Sequence, residues 1–276
     1  VAGIARVIHG EHGREATDPE GLNAKRNLIR RALSPMVDRF VSVSEDLRRW
    51  LTETVGISRR KVLTIHNGVD TERFSGQGRE ESRRRLGWDP GAFIIGIVGR
   101  LDPVKDHVTL LTAFAPVAQR NKKARLMIVG EGPERRRIEA HAAALGISGQ
   151  TLLLGEQHDI PVLLKAFDVF ALTSIAEGIS NTILEAMASA LPIVATRVGG
   201  NSELIEDALT GRLVAPGDAA ALTTILQSYF ENSEMCLAHG RAARVRAEKN
   251  FSLDRMAVNY ADLYLTVAAG RSQIAA

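Results

Sequence analysis

The chain has a single cysteine, Cys236, among 276 residues. That excludes an internal disulfide, fits a reducing compartment and leaves the thiol to act as a small buried hydrophobe. Aromatic residues make up only 5%, and none interrupts the basic clusters at 59–61, 83–85, 135–137 and 241–249. Those clusters therefore read as solvated helix faces rather than a nucleic-acid groove, and the small formal charge of +3 agrees. No apolar run approaches the roughly 18 residues of a membrane span. The first residues lack the cationic and apolar layout of a signal peptide, so a soluble, cytoplasmic protein is expected. With no Asp-x-Asp and no clustered His or Cys, nothing signals a tightly held divalent metal.

What is present is ordinary globular chemistry: 45% hydrophobic and 24% charged residues, without low-complexity tracts. The length suits two domains, or one and a remnant. From residue 92 onward the apolar runs AFIIGIVG, ARLMIVG, TLLLG, DVFALTS, LPIVATR and GRLVAP alternate with helix-like segments. Near-continuous apolar strands at this spacing predict a parallel, doubly wound α/β domain. Helices are expected behind Asp106, Pro133 and Asp218, the second stopping at Gly146. A shorter set precedes residue 75, with strands at ARVIHG, RFVSVS and KVLTI and a helix capped by Ser44. VAGIARVIHG reads as a buried strand. The polar, glycine-containing FSGQGREESRRR is the best linker and puts a boundary near Gly78. The expected units are thus 1–78, 79–250 and a C-terminal helical segment, 251–276.

In open α/β sheets ligands bind beyond the carboxyl ends of the strands. Gly99, Arg100 and Lys105 follow the first run, Gly130, Glu131, Gly132 and Pro133 the second, and Glu177 and Gly178 the fourth. Gly199 and Gly200 follow the fifth. Glycine turns and helix N-termini suit a phosphate, which Arg100 and Lys105 could clamp; the alternative is a solvated pair after a strand. VGEGPER breaks the dinucleotide fingerprint at Arg135, and GRLDPVK lacks the P-loop ending. In EGISNTILEAMA, residues 177–188, a helix starting near Asn181 puts Glu177 in the turn before it and Glu185 a turn inside. A carboxylate there can accept from sugar hydroxyls, or it can simply favour the helix dipole; spacing leaves the two readings of Glu185 level.

EGISNTILEAMA resembles the E-x7-E segment of family-4-type retaining glycosyltransferases of the two-domain GT-B fold. It stands in family order with GRLDPVKD, VGEGPER, PIVATRVGGNSELI and TGRLVAPGD, and HNGVDTERF extends the likeness upstream. The opening RVIHGEHGRE resembles exopolysaccharide sugar transferases associated with exosortase systems. The resemblance implies two Rossmann-like domains, the N-terminal one incomplete by about 100 residues, and a retaining hexosyltransferase. Its donor would be a UDP- or GDP-sugar and its acceptor a glycan or lipid-linked molecule, with peripheral contact at the inner membrane face. No cofactor is implied beyond the donor. Arg100 and Lys105 would bind the diphosphate, Glu177 the transferred sugar and Glu185 the ribose. Backbone N–H groups from Gly178, Ile179, Ser180 and Asn181 would meet phosphate or sugar. Gly99 would open the clamp, and Gly130, Glu131 and Gly132 would pass beneath the nucleotide. His9 matches the family histidine that faces the donor sugar across the cleft, with His12 the near alternative. Asn67 and Gly68 would shape the interdomain turn, with Asp70 as a turn former, and His158 would lie near the base or on the surface. The C-terminal helix would pack on the N-terminal domain through Phe251, Met256, Tyr260 and Leu263. Other readings are a nucleotide-sugar epimerase or phosphorylase of the same architecture, and a nucleotide-binding fragment without transfer.

Overall fold

A computed structural model describes residues 6–14 and 17–269. The chain opens with β1 (Ile8–Glu11), α1 (Ala24–Leu33), β2 (Arg39–Ser42), α2 (Glu45–Arg49) and β3 (Val62–Thr64). These strands form a parallel sheet in the order β1-β2-β3. Ser44 caps α2 by accepting from the Leu47 N–H, as its residue type predicts. The helix then widens into a π-type turn over Trp50–Thr54. The strand expected at the start of the chain is shorter and less buried than its apolar letters suggest. Residues 1–5 lie outside the described residues, and in β1 only Glu11 is buried while His9 and Gly10 are exposed.

The second sheet takes in α3 (Arg79–Leu86), β4 (Phe93–Val98), α4 (His107–Arg120), β5 (Ala124–Val129), α5 (Arg135–Ala144) and β6 (Thr151–Gly155). It continues through α6 (Ile160–Ala166), β7 (Val169–Leu172), α7 (Asn181–Ala188), β8 (Ile193–Thr196), α8 (Asn201–Leu204) and β9 (Gly211–Val214). Last come α9 (Ala219–Glu231), α10 (Ser233–Asn250) and α11 (Leu253–Ala268). Six parallel strands run in the order β6-β5-β4-β7-β8-β9. All six apolar runs are strands, and β7 and β8 are buried throughout because helices cover both faces. The order reverses between β4 and β7, the switch point where such sheets bind ligands. Asp106 and Asp218 cap α4 and α9 through their side chains, and Gly146 follows α5 with φ of +69°.

Two basic clusters depart from the solvated-face expectation: in 241–249, Arg244 and Arg246 donate to carbonyls of other segments, and in 83–85 the departure is larger. Arg83 is 1% exposed. It donates through Nε to the Ala166 carbonyl, through Nη1 to those of Pro90 and Ala92, and through Nη2 to Asp168 at 2.7 Å. Five donors in one planar group let a buried guanidinium satisfy several carbonyls at once, which a charge count along the chain does not register.

Helix α11 crosses back to the first sheet, where Leu263 and Val267 are buried with Val41 and Ile65 and flanked by Met256 and Tyr260. Phe251 precedes the helix and joins the larger core instead, edge-on to His66 at 5.5 Å. The Val69 N–H donates to Phe251, and the Leu253 N–H returns to Val69, so the strand-like bridge Val69–Ser252 ties the crossing segments together.

Candidate active site

The strand-end residues of β4 and β7 meet at the switch point. After Gly99 and Arg100, Asp102 accepts from the Val104 N–H and starts a short 3-10 turn, Pro103–Lys105. Asp106 then sits at φ of +45°, a left-handed position that Asp tolerates, and binds Thr109 through both carboxylate oxygens. Thr173 at the end of β7 donates to the carbonyls of Lys105 and Asp106. This turn aims the Lys105 ammonium at Glu177, whose Oε1 accepts from Nζ at 2.6 Å and from the Ser174 hydroxyl at 2.6 Å. Arg100 is the outer cation, with a side chain 76% exposed and 3.4 Å from Asp102.

Helix α7 begins where the sequence predicts, with Ser180 accepting from the Ile183 N–H. Ile179 and Ser180 are buried, and the Ser180 hydroxyl is taken up by the cap. Glu185 lies one turn in, half-buried. Burial pushes its carboxyl above the ordinary value, and Arg73 opposes that in part. The two glutamates open onto different spaces. Glu177 lines a cavity of about 350 Å3 with Lys105, Arg100 and Gly178. Glu185 lines another of about 460 Å3 with Asn67, Asp70, Arg73, Asn181 and Met256. His12 borders both.

His9, expected to face the donor sugar, lies within β1 rather than past its end. β1 runs on to Glu11, so His9 is a mid-strand residue, edge-on to Phe40 at 5.5 Å with Nε2 3.7 Å from Glu11, and it borders neither cavity. His12 is the first residue past the strand's carboxyl end and borders both cavities. The close approach there explains Gly178, because a Cβ on it would come 2.1 Å from the His12 carbonyl oxygen.

Gly130, Glu131 and Gly132 border neither cavity. A Cβ on Gly130 would lie 2.0 Å from the Gly99 oxygen, and one on Gly132 2.3 Å from that of Leu101. These glycines let the loops after β4 and β5 lie against each other, and the Leu101 N–H donates to Glu131 across the contact. The Glu131 side chain pairs with Arg135 at 2.6 Å. His158 is exposed. Among the described residues, no group of three or more His, Cys, Asp or Glu is placed to hold a metal ion, and no helix is long and apolar enough to cross a membrane.

Sequence reasoning missed Glu203, the residue that joins the two sheets. Its carboxylate accepts from the backbone N–H groups of Glu45 (2.8 Å) and Asp46 (3.0 Å) and pairs with His66 Nε2 at 2.8 Å. Burial alone would raise its pKa, but His66 and the two N–H groups outweigh that and hold it below the ordinary value. Asn67 donates to Asn181 nearby, adding a second link to the start of α7. The partners of Glu203 lie more than 130 positions away, so no local pattern pointed to them.

A family model described as glycosyl transferases group 1 matches residues 78–246, more than half of the chain, and one described as glycosyltransferase family 4 matches residues 2–73. The putative glycosyltransferase EpsD of Bacillus subtilis is 30% identical over 86% of this chain and 62% of its own length. EpsF of the same organism is 32% identical over 70% and 52%. This chain therefore spans between half and two thirds of those relatives. Among solved structures, Anabaena HepE in complex with UDP superposes with a TM-score of 0.87 at 24% identity, covering 95% of this chain and 72% of that one. A sucrose-phosphate synthase from Thermosynechococcus elongatus superposes with a TM-score of 0.86 at the same identity, over 95% and 68%. The doubly wound sheet with its switch-point cleft, facing a second parallel sheet, is the GT-B arrangement of these neighbours. On the sequence matches the chain belongs to the glycosyl transferases group 1 family.

Proposed function

We propose that this chain carries the donor site, and part of the acceptor side, of a glycosyltransferase that moves a sugar from a UDP- or GDP-sugar to a glycan or lipid-linked acceptor with retention. The observation that carries the reading is the Lys105–Glu177 pair at the sheet's switch point, facing His12 across the cleft. HepE was solved with UDP and with UDP-glucose. A relative from Escherichia coli, 24% identical, is named as a UDP-Gal transferase acting on a diphosphoundecaprenol-linked sugar. Both support a uridine donor, and the second supports a lipid-linked acceptor.

In this reading the sugar–oxygen bond to the diphosphate breaks through an oxocarbenium-like state. Lys105, Arg100 and the N–H groups leading into α7 meet the charge that develops on the leaving oxygen, a preorganised electrostatic role. The reading assigns that task to the two cations and the helix terminus, without a metal. Lys105 and Ser174 share Oε1 of Glu177, and Oε2 is the atom that accepts from a sugar hydroxyl. Glu177 thus orients the sugar, and His12 faces it from the other side. The acceptor hydroxyl attacks the face from which the diphosphate leaves and passes its proton to a phosphate oxygen, which gives retention. Glu185 is assigned to the ribose, and the raised pKa that burial imposes on it favours a role as a hydrogen-bond partner of hydroxyls. The epimerase and phosphorylase alternatives are dropped, because the relatives above are named as transferases or synthases.

Thermal unfolding with added nucleotides tests the donor site. UDP or GDP should raise the melting temperature and NAD should not. No shift with any nucleoside diphosphate would remove the donor site. Binding without acceptor-dependent release of the nucleoside diphosphate would leave a nucleotide-binding module.

A further inference from the structure

The cavity that holds Lys105 and Glu177 has a third cation, and it comes from the other side of the cleft. Arg14 follows the His12–Gly13 turn and lines the cavity with His12, Arg100, Lys105, Glu177 and Gly178. Its guanidinium is fixed from behind. Nη2 donates to Asp46 at 2.7 Å, and the group lies 5.7 Å from the ring centre of the buried Trp50. Nε is buried and has no hydrogen-bond partner. A planar guanidinium anchored at Nη2 by Asp46 is held in a fixed orientation, which preorganises it for a further acceptor in the cavity that it lines.

The surroundings specify that acceptor. Three cations and one carboxylate line the cavity, whereas Asp46 and Asp102 are each taken up by one of the cations. Each cation thus stands beside one carboxylate, and what the cleft offers is three cationic heads converging on one cavity, a donor set that suits an anion with several oxygens. The position of Arg14 is set across the interface as well. The Asp46 N–H that Glu203 accepts belongs to the residue whose side chain holds Arg14, and Gly178 lets the His12 turn approach the Glu177 loop.

We propose that Arg14 is a third contact for the donor's diphosphate, supplied by the N-terminal sheet across the cleft, with Asp46 as its positioning residue. This rests on the donor-site reading for the identity of the diphosphate, but the anion contact itself can be read separately.

The test is isothermal titration of the full chain with UDP and, in parallel, with inorganic pyrophosphate, for the native protein and for Arg14→Gln, Arg14→Lys and Asp46→Asn, with melting temperature as the folding control. Arg14→Gln should weaken both ligands at least tenfold, and Arg14→Lys should recover part of the loss. Asp46→Asn should weaken them several-fold, and that loss should vanish when Arg14→Gln is already present, which a merely structural aspartate would not show. Unchanged affinity in a folded Arg14→Gln protein, with Lys105→Ala still harmful, overturns the Arg14 contact and leaves the donor site standing. Pyrophosphate binding that depends on Arg14 without tighter binding of UDP supports the contact and overturns the nucleotide reading. Binding of neither ligand to the native chain overturns both.

Discussion

His66 and Glu203 stand 137 positions apart in sequence and 2.8 Å apart in space. The same carboxylate accepts from the first two backbone N–H groups of α2, so one side chain ties the HNGVD turn and an N-terminal helix to the segment after β8. Removing the carboxylate strands those donors at a half-buried interface. Glu203→Ala should therefore cost about 2–4 kcal/mol in urea unfolding. A loss below about 0.5 kcal/mol would show that the interface holds without it.

Because its folded pKa is depressed, Glu203 contributes stability that is present above the ordinary carboxyl value of 4.5 and is lost as pH falls through the lower folded value. Unfolding midpoints measured from pH 6 down to 3 should drop less steeply for Glu203→Gln than for the native chain. Parallel curves would mean that other carboxylates carry the acid sensitivity.

His107 is 3% exposed, has no partner on either ring nitrogen, and burial pushes its pKa down to about 4. The unfolded chain takes up the proton near 6.5 and the folded chain does not, so this contribution is fully present above pH 6.5 and is lost between there and about 4. The loss is at most about 3 kcal/mol. Replacing the ring in His107→Leu should flatten stability over that window, as read by denaturant melts at pH 7, 6 and 5.

Lys105 is more enclosed than Arg100 and is already ordered by Glu177, so it should matter more to a bound diphosphate. By calorimetry, Lys105→Ala should lose about 1.5–3 kcal/mol of nucleotide affinity, the scale of a charged hydrogen bond. Solvent screening should make the loss smaller for Arg100→Ala. The reverse order would place the diphosphate nearer the cleft's outer rim.

A methyl group at Gly178 would meet the His12 carbonyl at 2.1 Å, and neither backbone can yield without moving the cleft loops apart. Gly178→Ala should cost on the order of 1–3 kcal/mol in stability and weaken nucleotide binding in the same protein. Unaltered binding would show that the His12 turn plays no part in the donor site.

Much of this molecule follows from near neighbours along the chain. The six apolar runs became six parallel strands, the caps at Ser44, Asp106, Ser180 and Asp218 each formed through a bond to the residue three positions on, and the charged and glycine residues collected at strand ends. Such features depend on periodicity and on local hydrogen bonds, which a sequence displays directly. Tertiary structure decided the rest. It turned Arg83 from a helix-surface charge into a buried hub, because the carbonyls of Pro90 and Ala92 and that of the distant Ala166 converge on it. It put His12 rather than His9 at the cleft, because β1 runs two residues beyond His9. It gave Gly130 and Gly132 a packing reason of their own, and it separated Glu177 from Glu185 into two cavities. It also paired Glu203 with His66 and brought Arg14 to the cavity that Lys105 lines. These outcomes depend on which loops the two sheets bring together, and loops far apart along the chain carry no mark of one another until the sheets have packed.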